Sequence, residues 1–266
     1  MTITRPPAVA GMFYPGDVGT LGATVDRLLA DIHPEAGVRP KALIVPHAGY
    51  VYSGSTAAAA YATLSPWASE IRRVVLLGPT HRVAVDGLAL PAAQAFATPL
   101  GSIPVDAEGV AAVTDLPQVV VSDYAHALEH SLEVHLPFLQ RVLGEFSLVP
   151  LAVGHTTPEA VAEVLDILWG GPETLIVVSS DLSHFLPYRV AQQVDDNTCR
   201  HILSLDSHIH PEQACGAFPM NGLLLAAHRR GLKPTLLAHC NSGDTAGDKD
   251  RVVGYAAISL AEKAHD

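Results

Sequence analysis

Apolar residues along this chain gather into short unbroken runs instead of alternating with polar ones. ALIVP (42–46), RVVLLG (73–78), FSLVPLAVG (146–154) and TLIVVSS (174–180) are rich in aliphatic and β-branched side chains, and turn or polar residues follow each run. Runs of this length with no polar face predict strands buried on both sides, as in a parallel sheet. Between them the spacing turns helical. SGSTAAAAYATL follows the first run, with Ser53 or Ser55 as a candidate cap. TTPEAVAEVLDILWG places Thr157 at the N-cap, Pro158 at the first helical position and Gly170 at the stop. A further helix is expected from about Arg189 to Leu205, and GLLLAAHRRG forms another. PTLLAHC (234–240) and RVVGYAAISLA (251–261) flank the turn-rich NSGDTAGDKD and predict an antiparallel hairpin. DGLALPAAQAFATPLGSIPVD reads as two short strands. No linker-like tract interrupts the chain. The expectation is one α/β domain over residues 1–266, with a mostly parallel central sheet flanked by helices.

The polar residues just beyond the runs carry the functional signal. ALIVP leads into His47, VVLLGP into Thr80 and His81, LIVVSS into Asp181 and His184, and LLAHC into Asn241 and Asp244. Parallel strands end on a common edge, and ligands bind in the crevice beyond those carboxyl ends. Taken singly, each residue is an ordinary turn or capping residue; four together predict a shared site. Two imidazoles and a carboxylate with open positions suit non-haem Fe(II), and a similar set with a bound water suits zinc. Order alone does not say which of these side chains would coordinate and which would only hydrogen-bond; Asp181 and His184 are candidate acid/base partners or orienting groups.

EHSLEVHLPFLQ (129–140) forms a second cluster. On a helix, Glu129, His130 and Glu133 share a face while Leu132, Leu136 and Leu139 face the core. The spacing is H-x-x-E-x-H, which matches neither zincin arrangement. The stripe is expected to line the crevice floor, with His130 among the proton-handling groups. Cys240 precedes the NSGD loop and is expected in the pocket wall, as are Tyr50 in HAGY and Phe13 in GMFYPGD. Cys215 is expected to pack at a helix entrance, and His208 and His210 to lie at the surface. His33, His126, His155, His201, His228 and His265 show no usable arrangement.

Composition narrows the classes. Lys and Arg total 16 against 27 Asp and Glu, a formal charge of −11 that disfavours nucleic acid and anionic membranes as partners. No apolar stretch approaches the roughly 20 residues of a membrane helix. MTITRPPAVAGMFYPGD lacks the build of a signal peptide. Three cysteines without C-x-x-C spacing argue against a disulfide framework. A soluble cytoplasmic protein is expected.

In order, FYPGD, VPHAGYVYSG, LLGPTH, EHSLEVHLPF, VSSDLSHF and SGDTAGDKDRVVGYAA resemble the MEMO family, specifically its prokaryotic branch, AmmeMemoRadiSam system protein B, from about Pro6 to Ile258. The resemblance implies a fold like that of class III extradiol dioxygenases, which hold non-haem Fe(II). It also implies pocket residues at Phe13, His47, His81, Asp181 and His184, and a functional link to a radical SAM protein and an AMMECR-type protein. The human member places a cysteine in the C-terminal loop; here Asp244 or Thr245 stands there, and Cys240 falls four or five positions early, so the resemblance implies a metal held by His47, His81 and a third ligand, with Asp244 restoring the His/His/carboxylate set of iron dioxygenases and His184 and Cys240 as the alternatives. Three functions follow as expectations. The first is a metal-dependent oxidoreductase with Fe(II), or Zn or Cu in its place, acting on a small-molecule or peptide ligand. The second is a non-catalytic protein binding such a ligand in the same pocket, and the third a metal hydrolase.

Overall fold

The computed structural model describes residues 2–32 and 37–262, so His33 and His265 lie outside the described residues. The first half of the chain forms β1 (Thr4–Arg5), α1 (Val18–Ala30), β2 (Pro40–Val45), α2 (Tyr50–Ala62) and β3 (Arg73–Pro79). Next come β4 (Leu88–Leu90), β5 (Ala95–Thr98), β6 (Gly101–Pro104), α3 (Ala107–Val113), β7 (Val119–Val121) and α4 (Asp123–Ala127). After them stand α5 (Leu136–Leu143), β8 (Ser147–Val153), α6 (Pro158–Leu168), β9 (Thr174–Ser179) and β10 (His184–Leu186). The chain closes with α7 (Tyr188–Leu203), α8 (Ala217–Arg230), β11 (Lys233–Asn241) and β12 (Val252–Ala261).

The four long apolar runs pair as expected. β2, β9, β3 and β8 are adjacent and parallel at the centre of a nine-stranded sheet ordered β10-β12-β2-β9-β3-β8-β4-β7, with β11 also on β12. Side chains alternate between two cores. Ala42, Ile44, Val75, Leu77, Ile176 and Val178 pack beneath α6, α7 and α8, while Leu43, Val45, Val74, Leu76 and Val177 pack beneath α1, α2 and α5. Burying each Val, Leu or Ile side chain among them stabilises by roughly 1.5–3 kcal/mol, which is why the runs carry no polar face. β12 is antiparallel to both β2 and β11, so the C-terminal hairpin forms as its turn residues predict.

Helix ends follow local chemistry where a cap is present. The Thr157 side chain accepts from the Ala160 N–H, Pro158 opens α6, and Gly170 after it has a positive φ of 58°. α7 spans Tyr188–Leu203, close to its expected bounds. Three expectations need correction. α2 is capped by neither Ser53 nor Ser55; it begins at Tyr50 behind Gly49, and Ser53 donates back to the Ala48 carbonyl. The stretch read as two short strands supplies three, with β4 in the main sheet and β5–β6 joining β1 in a separate three-stranded sheet. Glu129 to Glu133 is not one helical face. Glu129 and His130 sit in an irregular turn, a 3-10 turn covers Glu133–His135, and α5 starts only at Leu136. Pro137 explains this, because its ring and missing N–H bar an α-helical turn immediately before it.

Candidate metal centre

The carboxyl ends of β2, β3 and β9 point to one edge of the sheet, and His47, His81 and Asp181 follow them within two residues. The turn bearing His130 folds over the end of β3. Gly78 permits this approach, since a Cβ there would meet Ser131 Oγ at 2.8 Å and Leu132 at 2.9 Å. Three imidazoles from three segments thereby converge. Each of His47, His81 and His130 offers a nitrogen, all within 4.8 Å of one another. Ring centroids lie 5.1 Å apart for His47–His81, 5.4 Å for His47–His130 and 4.7 Å for the stacked His81–His130 pair.

Hydrogen bonds behind two of the rings decide which nitrogen faces inward. His47 Nδ1 lies 2.6 Å from Ser179 Oγ, whose hydroxyl donates to the Ser131 carbonyl at 2.7 Å. With its one proton committed, Ser179 accepts from Nδ1–H, and the His47 Nε2 lone pair is left free. His81 Nδ1 lies 2.9 Å from Glu129 Oε1, and the His81 N–H donates to Oε2, so the carboxylate fixes the ring through both oxygens. Oε1 also accepts from the His130 and Ser131 N–H groups, each at 2.9 Å. Burial works against ionisation of Glu129, but the His81 side chain and these N–H groups outweigh it and hold its carboxyl down at about 2. A carboxylate-to-histidine bond of this kind sets the tautomer and raises the basicity of the outward nitrogen.

Burial keeps two of the rings, His47 and His130, neutral. Burial, reinforced by the neighbouring imidazoles, pushes His47 well below its ordinary range. Burial also pushes His130 down to about 4 against the pull of Glu129. A metal requires unprotonated imidazoles, so His47 and His130 meet a divalent first-row ion without prior deprotonation.

Around the triad the expected residues divide. Asp181 is buried under His47: Oδ1 accepts from the His47 N–H at 2.8 Å, Oδ2 lies 3.9 Å from His47 Nε2, and burial raises its carboxyl to about 7. His184 is half-buried on β10, with its pKa lowered by burial. Next to it, Phe185 has a positive φ of 60°, an uncommon backbone state for a bulky residue, and its exposed ring sits under the Arg251 guanidinium at 4.9 Å. Phe13 packs on the His130 ring at 4.7 Å and closes one wall.

Four residues fall elsewhere. Asp244, expected as a ligand, is not in the group; its carboxylate accepts from the Tyr188 hydroxyl and, at 3.0 Å, from the Asn241 N–H, which completes a capping box. Cys240 contacts Thr56 at 3.1 Å and lines a separate groove of about 600 Å³ between α7 and β11, where Asp244 also lies. Tyr50 is a core residue between Tyr14 and Phe138 whose hydroxyl donates to the Val134 carbonyl. Glu133 is fully buried and accepts from Arg5, the Tyr14 hydroxyl and the N–H groups of Ala8 and Val9, so it straps down the N-terminal segment and lines no crevice. His130, expected to move protons, is the third imidazole of the triad.

Sequence reasoning missed Ser179 as the partner of His47 and gave Cys215 only a packing role. Cys215 Sγ lies 3.4 Å from His47 Nε2, and the Asp181 N–H donates to it at 3.3 Å. The serine pair ending TLIVVSS was legible as a strand end, but which hydroxyl met which ring was not.

Among the described residues, no helix is long and apolar enough to cross a membrane. The fold resembles that of an uncharacterized protein, JW3007, from Escherichia coli K12, with a TM-score of 0.55 at 14% identity, covering 84% of this chain and 100% of that one. MEMO1 family proteins of Aquifex aeolicus and Methanosarcina mazei are each 36% identical to it, covering 96% of this chain and 98% of theirs. That of Ignicoccus hospitalis is 35% identical over 97% of this chain and 99% of its own length. The family model described as Memo-like protein matches residues 5–259, and the chain belongs to that family.

Proposed function

We propose that this chain is a metal-dependent oxidoreductase whose centre is a non-haem Fe(II) held by His47, His81 and His130. The observation that carries this reading is the triad itself: three imidazoles brought together from three segments, two of them with Nδ1 already bonded to Ser179 and Glu129. Imidazole ligands also suit Zn and Cu; a redox-active ion with open positions would supply one-electron and O₂ chemistry to a substrate bound beside it.

The chain's own residues support that role in defined ways. Ser179 and Glu129 orient the ligating rings. Phe13 covers one side of His130 and limits water there. Asp181, with its carboxyl raised to about 7 by burial, can hold or release a proton next to the His47 edge near neutral pH. His184 at the rim is a second proton-handling group.

Metal analysis of protein purified without oxygen tests the reading. One iron per chain is expected, and His47→Ala with His81→Ala is expected to remove it. Zinc alone at full occupancy together with ester or amide hydrolysis would favour a hydrolase instead. Retained ligand binding with no metal under any loading condition would favour a binding protein.

A further inference from the structure

The inward face of α7 is formed by Ala191, Asp195, Thr198, Cys199 and Ile202, a stripe at helical spacing that contains one carboxyl, Asp195. Asp195 is 1% exposed, and burial raises its pKa above the ordinary carboxyl value. A buried acid costs stability unless its hydrogen bonds offset the loss of water. Its Oδ1 accepts from the Ser183 N–H at 3.0 Å, and its Oδ2 has no hydrogen-bond partner among the described residues. Gly254 on β12 lets the carboxyl lie there, because a Cβ on that glycine would collide with Oδ2.

The one bond that Asp195 makes falls between Asp181 and His184. Three consecutive peptide planes join those residues. Leu182 N–H donates to the Gly254 carbonyl at 2.8 Å, and Gly254 N–H donates to the Ser183 carbonyl at 2.9 Å, so β12 holds the first and third planes. The middle plane, between Leu182 and Ser183, is the one that Asp195 holds. The carbonyl of that same plane, on Leu182, supports the charged form of the His184 imidazole against burial. Beyond His184 regular pairing gives no help. β10 shifts register against β12 between His184 and Leu186, and Phe185 takes a positive φ of 60°. The place of the imidazole therefore depends on the planes that precede it.

We propose that Asp195 is a positioning residue for His184: its carboxyl fixes the Leu182–Ser183 peptide, and that peptide sets where the imidazole stands at the rim of the metal centre. The proposal rests on the reading of His184 as a proton-handling group there. Asp195 acts through the peptide and is not itself a catalytic residue.

Histidine Cε1 resonances of full-length, metal-free protein carrying carbon-13 histidine test this at about pH 8, where unperturbed imidazoles are neutral. The His184 signal is identified by its loss in His184→Gln. Its ring lies beside that of Phe185, centroids 5.8 Å apart, so a displaced imidazole changes its ring-current shift. Asp195→Ala is expected to shift the His184 signal while leaving the His126 signal and the metal stoichiometry unchanged. Asp195→Asn keeps an oxygen for the Ser183 N–H and is expected to restore the wild-type position. A lowered urea midpoint with the His184 signal unmoved would show that Asp195 only docks α7, and overturns the proposal. A shift in Asp195→Asn as large as that in Asp195→Ala overturns it too. Where Asp195→Ala fails to fold, hydrogen exchange in the wild-type chain decides. The Ser183 amide is expected to be as strongly protected as that of Gly254, and fast exchange overturns the anchor. Iron content of the wild-type chain is a separate measurement: no metal together with these shifts sinks the metal-centre reading and leaves the positioning role of Asp195 intact.

Discussion

At the scale of single residues, the site is decided by what stands behind each imidazole. His47 and His81 are presented by strand ends, but a histidine after a strand can turn either nitrogen outward, and only its rear partner settles which. Ser179 and Glu129 do that work through Nδ1. Ser179→Ala and Glu129→Gln are each predicted to weaken metal binding about 10–100-fold while leaving the ligating side chains in place. A competition titration against a chromophoric chelator checks this, and unchanged affinity in both variants would remove the orienting role. The same scale explains why Asp244 misled a reading from sequence. An acid after a strand is equally fit to ligate a metal or to cap the next turn, and here the Asn241 N–H and the Tyr188 hydroxyl take its oxygens. Nothing in the spacing NSGD distinguishes the two outcomes.

At the scale of elements, the irregular turn over 128–132 and the 3-10 turn after it are the parts on which the third imidazole depends, and a side chain from the far N-terminus adds to their own hydrogen bonds. The Arg5 side chain donates to the His126 carbonyl at 3.0 Å, to the Glu129 carbonyl at 2.5 Å and to the Glu133 carboxylate, tying the turn to the N-terminal segment. Both ends of this ion pair are buried, with Arg5 5% exposed and Glu133 0%. Glu133→Ala would leave a buried guanidinium unpaired and is predicted to destabilise the fold by about 3–5 kcal/mol. Urea unfolding measures it; a loss under about 1 kcal/mol would show that the strap contributes little. Elements with self-contained signals were legible: the four central strands from their apolar runs, α6 from Thr157 and Pro158, the last hairpin from its turn residues. The turn carrying His130 was not, because a pattern of apolar positions in 129–140 looks helical until Pro137 is given its steric weight. The strap was illegible for a different reason: Arg5 and Glu133 are 128 residues apart, and each alone reads as a surface charge.

At the scale of the whole molecule, the fold encloses neutral histidines, and that gives its stability a definite pH dependence. Burial pushes His126 and His130 down to about 4 and His135 to about 3, and His47 well below its ordinary range. In the unfolded chain all four titrate near 6.5. Between about pH 6.5 and 4 the unfolded state thus binds protons that the folded state refuses, and stability falls as the pH drops. Asp181 acts in the opposite sense: with its carboxyl raised to about 7, the folded state holds a proton that the unfolded chain has released above about 4. Four imidazoles against one carboxyl leave roughly three protons in favour of unfolding, each worth about 1.4 kcal/mol per pH unit in that window. A domain with a net stability of about 5–15 kcal/mol cannot sustain that slope for long. The urea midpoint of metal-free protein is therefore predicted to fall steeply below about pH 6, with the fold lost near pH 4.5. His126→Gln, at a ring that is bonded to the Ala89 carbonyl and is not one of the three converging imidazoles, should remove one proton from the slope without altering metal stoichiometry. A midpoint that stays level from pH 7 to pH 5 would mean that the buried rings take up protons in the folded state, and the neutral donor set on which metal binding depends would be lost with it.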